Sequence, residues 1–293
     1  MNIRKRIIIA ALVLALVTLA CGININKAVT QIKTGPTQKV DIQVPMPKES
    51  SNVVQLNLEF VAGDLKIAPL ASGASGSLVS GRATFNVPDF EPKIETSGSS
   101  ATLRTGDMKI EGIPITKDDV KNEWDLRLAD TPMSLDLKAG AYNGSFELGG
   151  LSLEKLAISE GGSDLTATFS KPNQVEMSSF TFSTGGSSVE LKGLANANFA
   201  QMTFSSGAGE YTLSFDGDLR RDAIVMIDSG VGTVNLIVPE GVNAQVTFEG
   251  GLSTVNTDSG WKQDGTVYTL SGSGPTITIT VKMGAGTLNL KTE

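Results

Sequence analysis

Several groups of residues have types and spacings that could carry chemistry. Asp118-Asp119 and Asn256-Thr257-Asp258 offer carboxylates, and inverting glycan hydrolysis needs two carboxyl groups about 6.5–9.5 Å apart. Asp216-Gly217-Asp218 with Asp222 gathers the acidic oxygens that a hard cation such as calcium favours. Gly161-Gly162-Ser163-Asp164 and the Gly-Ala-Gly corners place small residues where backbone amides could meet an anion. The inventory around them is restrictive: 293 residues, no His and one Cys. A Ser-His-Asp relay and a His-ligated zinc are excluded, and one Cys makes no internal disulfide. The Asp216 group lacks EF-hand spacing, the Gly161 run does not recur, and no Gly-Ala-Gly leads into Lys-Ser/Thr and a helix. Solvated turns are the expectation for these. No catalytic residue, no metal and no cofactor is assigned. A polysaccharide-active enzyme on a β-helix scaffold, with Asp118 and Asp258 as its carboxylates, stands as the alternative.

The chain's one thiol points to different chemistry. Arg4, Lys5 and Arg6 precede a thirteen-residue run, Ile7 to Leu19, whose only polar member is Thr18. That is a basic region followed by an apolar segment too short to span a bilayer, the form of a signal peptide over residues 1–20. Val17-Thr18-Leu19-Ala20-Cys21 resembles a bacterial lipobox. The resemblance implies cleavage after Ala20 and diacylglycerol attachment at Cys21, with acylation of the new amino terminus; two or more chains anchor stably where one does not. Thr18 stands where the motif usually has Leu. Processing leaves 21 basic against 31 acidic residues, a net of −10. An acidic body argues against nucleic acid as a partner. Residues 21–39 are polar, contain Gly35-Pro36 and show no periodicity; they read as a tether of about 20–25 Å.

The elements that would position any site are strands. From Val40 the chain alternates apolar and polar residues in short runs punctuated by glycine. The punctuation repeats. Ile158-Ser159-Glu160-Gly161-Gly162, Phe182-Ser183-Thr184-Gly185-Gly186, Phe204-Ser205-Ser206-Gly207-Ala208-Gly209 and Ile227-Asp228-Ser229-Gly230-Val231-Gly232 each sit between two strand-like runs. The first glycines, 140, 161, 185, 207 and 230, step by 21, 24, 22 and 23. A period in that range is the mark of a solenoid, in which stacked units bury one continuous core. The chain is therefore predicted to be all-β: a parallel β-solenoid of strand, Gly turn and strand over residues 131–293, with an N-terminal β cap region over 40–130. Leu135, Leu137, Phe146, Leu148, Ile158, Phe182, Leu191, Phe204, Leu213, Phe215, Val234 and Leu236 are predicted to face inward. Pro88, Pro92, Pro114 and Trp124 belong to the cap, and residues 251–274 read as a hairpin inserted into a late turn. An antiparallel sandwich is the alternative.

Leu56-Asn57-Leu58-Glu59-Phe60-Val61-Ala62-Gly63-Asp64-Leu65, Gly81-Arg82-Ala83-Thr84-Phe85-Asn86-Val87-Pro88-Asp89-Phe90-Glu91-Pro92-Lys93 and Asn122-Glu123-Trp124-Asp125-Leu126-Arg127-Leu128 resemble the toast-rack family of bacterial envelope proteins, related to the C-terminal domain of LiaF-type cell-wall-stress regulators. The resemblance covers roughly residues 40–293. It implies a repeated β architecture and supplies no catalytic residues. LiaF-type proteins hold this domain inside the cell behind a multi-span region, where this chain has a lipobox-like signal.

The expected function is that of a non-enzymatic, lipid-anchored envelope protein presenting a solenoid surface, adhesin-like or related to envelope stress. Its expected partners are the membrane, through Cys21, and an envelope protein or glycan. Trp261, read as the exposed tip of a polar hairpin, is the candidate contact residue. A lipid carrier is a third reading, opposed by narrow coils filled with Leu and Phe. The lipobox reading makes a direct prediction: Cys21→Ala should move the protein from the membrane pellet to the soluble fraction and abolish labelling by radioactive palmitate.

Overall fold

Runs rich in β-branched and aromatic residues, broken by glycine, fold as strands throughout. The computed structural model describes residues 29–47, 53–71, 76–106, 113–115 and 119–293. The N-terminal part contains β1 (Val29–Gln31), β2 (Gln38–Pro45), β3 (Val54–Pro69), β4 (Ser77–Phe85), β5 (Pro92–Ser97), β6 (Ser100–Thr105), β7 (Ile113–Ile115) and β8 (Asn122–Leu128). The repeats follow as β9 (Met133–Glu147), β10 (Leu153–Thr168), β11 (Met177–Lys192), β12 (Phe199–Ser214) and β13 (Ala223–Val238). The chain ends with β14 (Asn243–Thr257), β15 (Lys262–Asp264), β16 (Val267–Leu270) and β17 (Thr276–Thr292). One 15-stranded sheet contains all of these but β1 and β7, which pair with each other.

Each long strand bends in the middle. Phe204 and Tyr211 lie seven residues apart on β12, which would separate them by about 23 Å in a straight strand. Their rings instead meet edge to face with centroids 5.2 Å apart. Each strand thus contributes two faces of a coil, and the loop to the next strand closes it. β3, β9, β10, β11, β12, β13 and β17 stack in parallel register, so like residues lie above one another. Phe182 and Phe204 stack in this way, 5.1 Å apart and 10° from coplanar. Every residue expected to face inward is buried. The architecture is a parallel β-solenoid, and β3 forms its first full coil.

The repeat length follows from the corner. A Cβ placed on Gly207 would lie 2.2 Å from the carbonyl oxygen of Gly185, one on Gly185 2.5 Å from that of Gly161, and one on Gly230 2.5 Å from that of Gly207. Gly284 abuts Gly230 and Gly251 abuts Gly284 in the same way. Glycine is needed in this column because backbones approach where a side chain has no room. Further along the corner a second contact needs glycine twice over: Gly232 (φ 150°) and Gly286 (φ 136°) are left-handed, and a Cβ on Gly286 would sit 1.9 Å from the Gly232 oxygen.

The last coils depart from chain order. A hairpin is present, with β15 and β16 antiparallel and β16 antiparallel to β14 at Ala244–Thr247. But β17, the C-terminal strand, slots between β13 and β14. The second corner contact marks the swap: β17 sets Gly286 opposite Gly232, and β14, one strand further out, sets Ser253 opposite Gly286. A Cβ on Gly286 in its present conformation would meet the Gly232 oxygen, so glycine fits this rung without displacement of the backbone.

At the other end β8, β4 and β2 form an antiparallel layer. Trp124 is buried there with its ring 5.3 Å from Phe60. Among the described residues no helix is long and apolar enough to cross a membrane.

Gly207→Ala should therefore destabilise the fold by about 1–3 kcal/mol in denaturant titration, the cost of overpacking. Gly35→Ala, whose new Cβ would meet nothing nearer than 3.8 Å, should stay within about 0.5 kcal/mol of the parent. Equal losses for the two would refute the close-approach account.

Candidate binding trough and corner seam

Because the coils stack in register, the residue two places before each corner glycine forms a column. It reads Ser159, Ser183, Ser205, Asp228, Lys282 and Glu249 across β10, β11, β12, β13, β17 and β14. At a strand spacing of about 4.8 Å the column is roughly 24 Å long. These side chains help line an open trough of about 640 Å³. Its serine end presents hydroxyls that both donate and accept hydrogen bonds. Its other end holds Asp228 and the Lys282–Glu249 ion pair, 3.6 Å apart.

Inside the same corner runs a buried polar seam. Glu160 is 9% exposed. The Tyr142 hydroxyl donates to its Oε2 at 2.6 Å, and Ser163 Oγ and Ser187 Oγ donate to its Oε1 at 2.5 and 3.0 Å. Thr184 and Ser187 share a further hydroxyl–hydroxyl bond. Three donors offset much of the cost of burying this carboxylate. Burial, then the charge of Glu160, then the hydrogen bond to it push the Tyr142 phenol well above its ordinary range. Burial lifts Tyr211 too. Ser206 and the Ser187 backbone, which approach that phenol without closing a hydrogen bond of good geometry, pull the other way. The Ser206 and Ser229 hydroxyls are buried without partners.

The structure disperses the other candidate residues. Ala20 and Cys21 lie outside the described residues, as does Asp118. Asp119 adjoins the cap strand β8, whereas Asp258 follows β14 at the far end of the sheet, with β3, β9, β10, β11, β12, β13 and β17 between. That pair lies far beyond the separation inverting hydrolysis uses. Asp216 accepts from the Gly193 amide and the Ser214 hydroxyl, Asp218 pairs with Arg220 at 2.9 Å, and Asp222 accepts from the Thr276 amide. These carboxylates serve their own turns. Among the described residues no group of His, Cys, Asp or Glu is placed to hold a metal. Trp261 is half-buried, not an exposed tip: it packs against the core, and its indole N–H is buried without a partner. An aromatic beside the last coil covers apolar surface that no further coil would cover.

The trough itself went unnoticed as a site. Its signal was present, as a polar residue at a constant offset from the repeat glycine.

Bent coils, a glycine column and an antiparallel end layer define a capped parallel β-solenoid. The family model for the N-terminal domain of toast_rack (DUF2154) matches residues 33–179, half of the sequence, and the chain belongs to this family. Among curated proteins none matches it in sequence. It is similar to the crystal structure of a candidate cell adhesion protein from Clostridium sporogenes: 18% identity, 88% of this chain and 100% of that one, TM-score 0.46. A candidate lipid-binding protein from Parabacteroides distasonis shares 9% identity over 90% of this chain and 100% of that one, TM-score 0.41. A candidate adhesin from Bacteroides fragilis shares 10% over 89% and 99%, TM-score 0.33.

The seam makes stability pH-dependent on the alkaline side. A phenol raised in the folded state keeps its proton while the unfolded chain loses one above pH 10. Stability is thus fully present below about pH 10 and should fall by about 1.4 kcal/mol per pH unit above it for each such tyrosine. Tyr142→Phe should flatten that fall in melts between pH 8 and pH 11. An unchanged alkaline slope would show that Tyr142 ionises freely.

Proposed function

We propose that this protein is a non-catalytic, lipid-anchored binding module of the cell envelope. Its trough holds an extended polar partner, an envelope glycan first and an envelope protein as the other candidate. The observation that carries this reading is the column from Ser159 to Glu249. It sets six polar side chains in line on a stack whose spacing is fixed by backbone, so little ordering cost falls on the protein when a partner binds. An extended polymer is the shape a straight trough accepts. The lipobox-like Cys21 and the polar tether would place this surface outside the membrane, within reach of the wall. Lipid anchoring and an adhesin-like role are parts of the same proposal.

The test is crosslinking of the anchored protein in cells, with mass spectrometry and glycan analysis of what co-purifies. Ser205→Tyr would fill the middle of the trough from a partly exposed position without touching the core. It should lower capture at least tenfold, which corresponds to about 1.4 kcal/mol, with an unchanged melting temperature. Undiminished capture would rule the trough out as the binding surface. Capture of a single membrane sensor, with no glycan, would make the protein a component of envelope-stress signalling.

A further inference from the structure

The main path of the sheet has two ends, and the chain treats them differently. At the cap end the outermost strand, β2, carries Lys39 and Asp41 and finishes at Pro45, devices that keep further strands from adding. At the other end β14 is covered on its outer side only at Ala244–Thr247, by β16. The Phe248 amide still donates to the Thr266 carbonyl, and from Glu249 to Thr257 the outer backbone edge has no partner among the described residues. Leu252 on that edge is 87% exposed. Two ladders also stop there. The glycine column ends at Gly251. On the outer face Asn289 donates to Asn235 and Asn256 donates to Asn289, and the Asn256 side-chain oxygen accepts nothing among the described residues.

We propose that the Gly250–Thr257 edge is a self-association surface, at which two copies of this chain pair their β14 strands antiparallel about a two-fold axis. Charge selects the occupant. The chain is net −7, so copies repel over most of their surface. Gly250 to Thr257 contains no charged residue, and Glu249 just before it is already paired with Lys282. Asp258 just after it accepts from the Thr292 amide, and within the segment two such edges meet without like-charge contact. A two-fold contact closes on itself, whereas head-to-tail pairing with another edge, β2 or β5, would leave one β14 edge open in every assembly. Antiparallel pairing about a two-fold at Thr254 sets Thr254 against its own copy and Leu252 of each copy against Asn256 of the other. It buries Leu252 and completes backbone bonds for which this edge has no partner among the described residues.

The experiment uses the full chain in its native membrane and after extraction in mild detergent. Thr254→Cys should give a disulfide-linked dimer in membranes, well above the background of the parent, whose only thiol source is Cys21. Thr278→Cys, exposed on the sheet face away from the edge, should not. In detergent, light scattering should give the mass of two chains for the parent and of one for Leu252→Lys, which removes no core packing. A monomeric parent, a dimer untouched by Leu252→Lys, or a Thr254→Cys crosslink to a different protein would each overturn the proposal.

Discussion

The structure depends on one contact: the Cα of a corner glycine against the carbonyl oxygen of the glycine one coil before. Repeated from Val61 through Gly140, Gly161, Gly185, Gly207 and Gly230 to Gly284 and Gly251, it lets each strand turn sharply while staying bonded to its neighbour. Its strictness comes from hard-sphere repulsion. At approaches of 2.1 to 3.1 Å a Cβ could be admitted only if the neighbouring backbone moved. Loop lengths elsewhere are free to vary, which is why the repeat steps differ by a residue or two while the corner does not.

With the corner fixed, inside and outside acquire different rules. Two residues before the glycine, side chains point outward and sequence is nearly free: Ser, Ser, Ser, Asp, Lys and Glu all occur. One residue before it, side chains point into the tightest part of the coil. There β3 places Phe60, β9 Ala139 and β17 Met283, while the central coils place Glu160, Thr184, Ser206 and Ser229. Tyr142 reaches over the Ala139 coil with its ring stacked 6.1 Å from Phe146 and delivers a hydroxyl to Glu160. The polar seam is thus anchored at one end by three hydroxyl donors and ends at the other in unpaired hydroxyls.

Most of this was legible in the residues. Alternation gave the strands, the glycine step gave the stacking, and together they identified the core from Leu135 to Leu236. What misled was the assumption that coils stack in chain order. β17 slots between β13 and β14, with Gly286 opposite Gly232 and Ser253 opposite Gly286. A contact of that kind involves residues 54 apart in sequence and leaves no local trace. Trp261 was misread for a related reason. Polar neighbours in sequence suggested exposure, but the last coil needed an apolar cover that only the fold reveals.

The division between a backbone-fixed corner and freely chosen side chains bears on how such a protein acquires specificity. In most binding sites the residues that touch a partner also hold the site together, so changing one risks the other. Here the trough column points away from the apolar core, and its alignment is imposed by the backbone contact of the corner glycines. Replacing Ser183 or Asp228 alters what the trough offers without altering where it is offered. The spacing along the column is that of a parallel sheet, about 4.8 Å, and side-chain changes leave it as it is. On the proposed binding role, selection among partners would come from the order of hydroxyl, carboxylate and ammonium along a fixed ruler, and length discrimination from how many coils carry them.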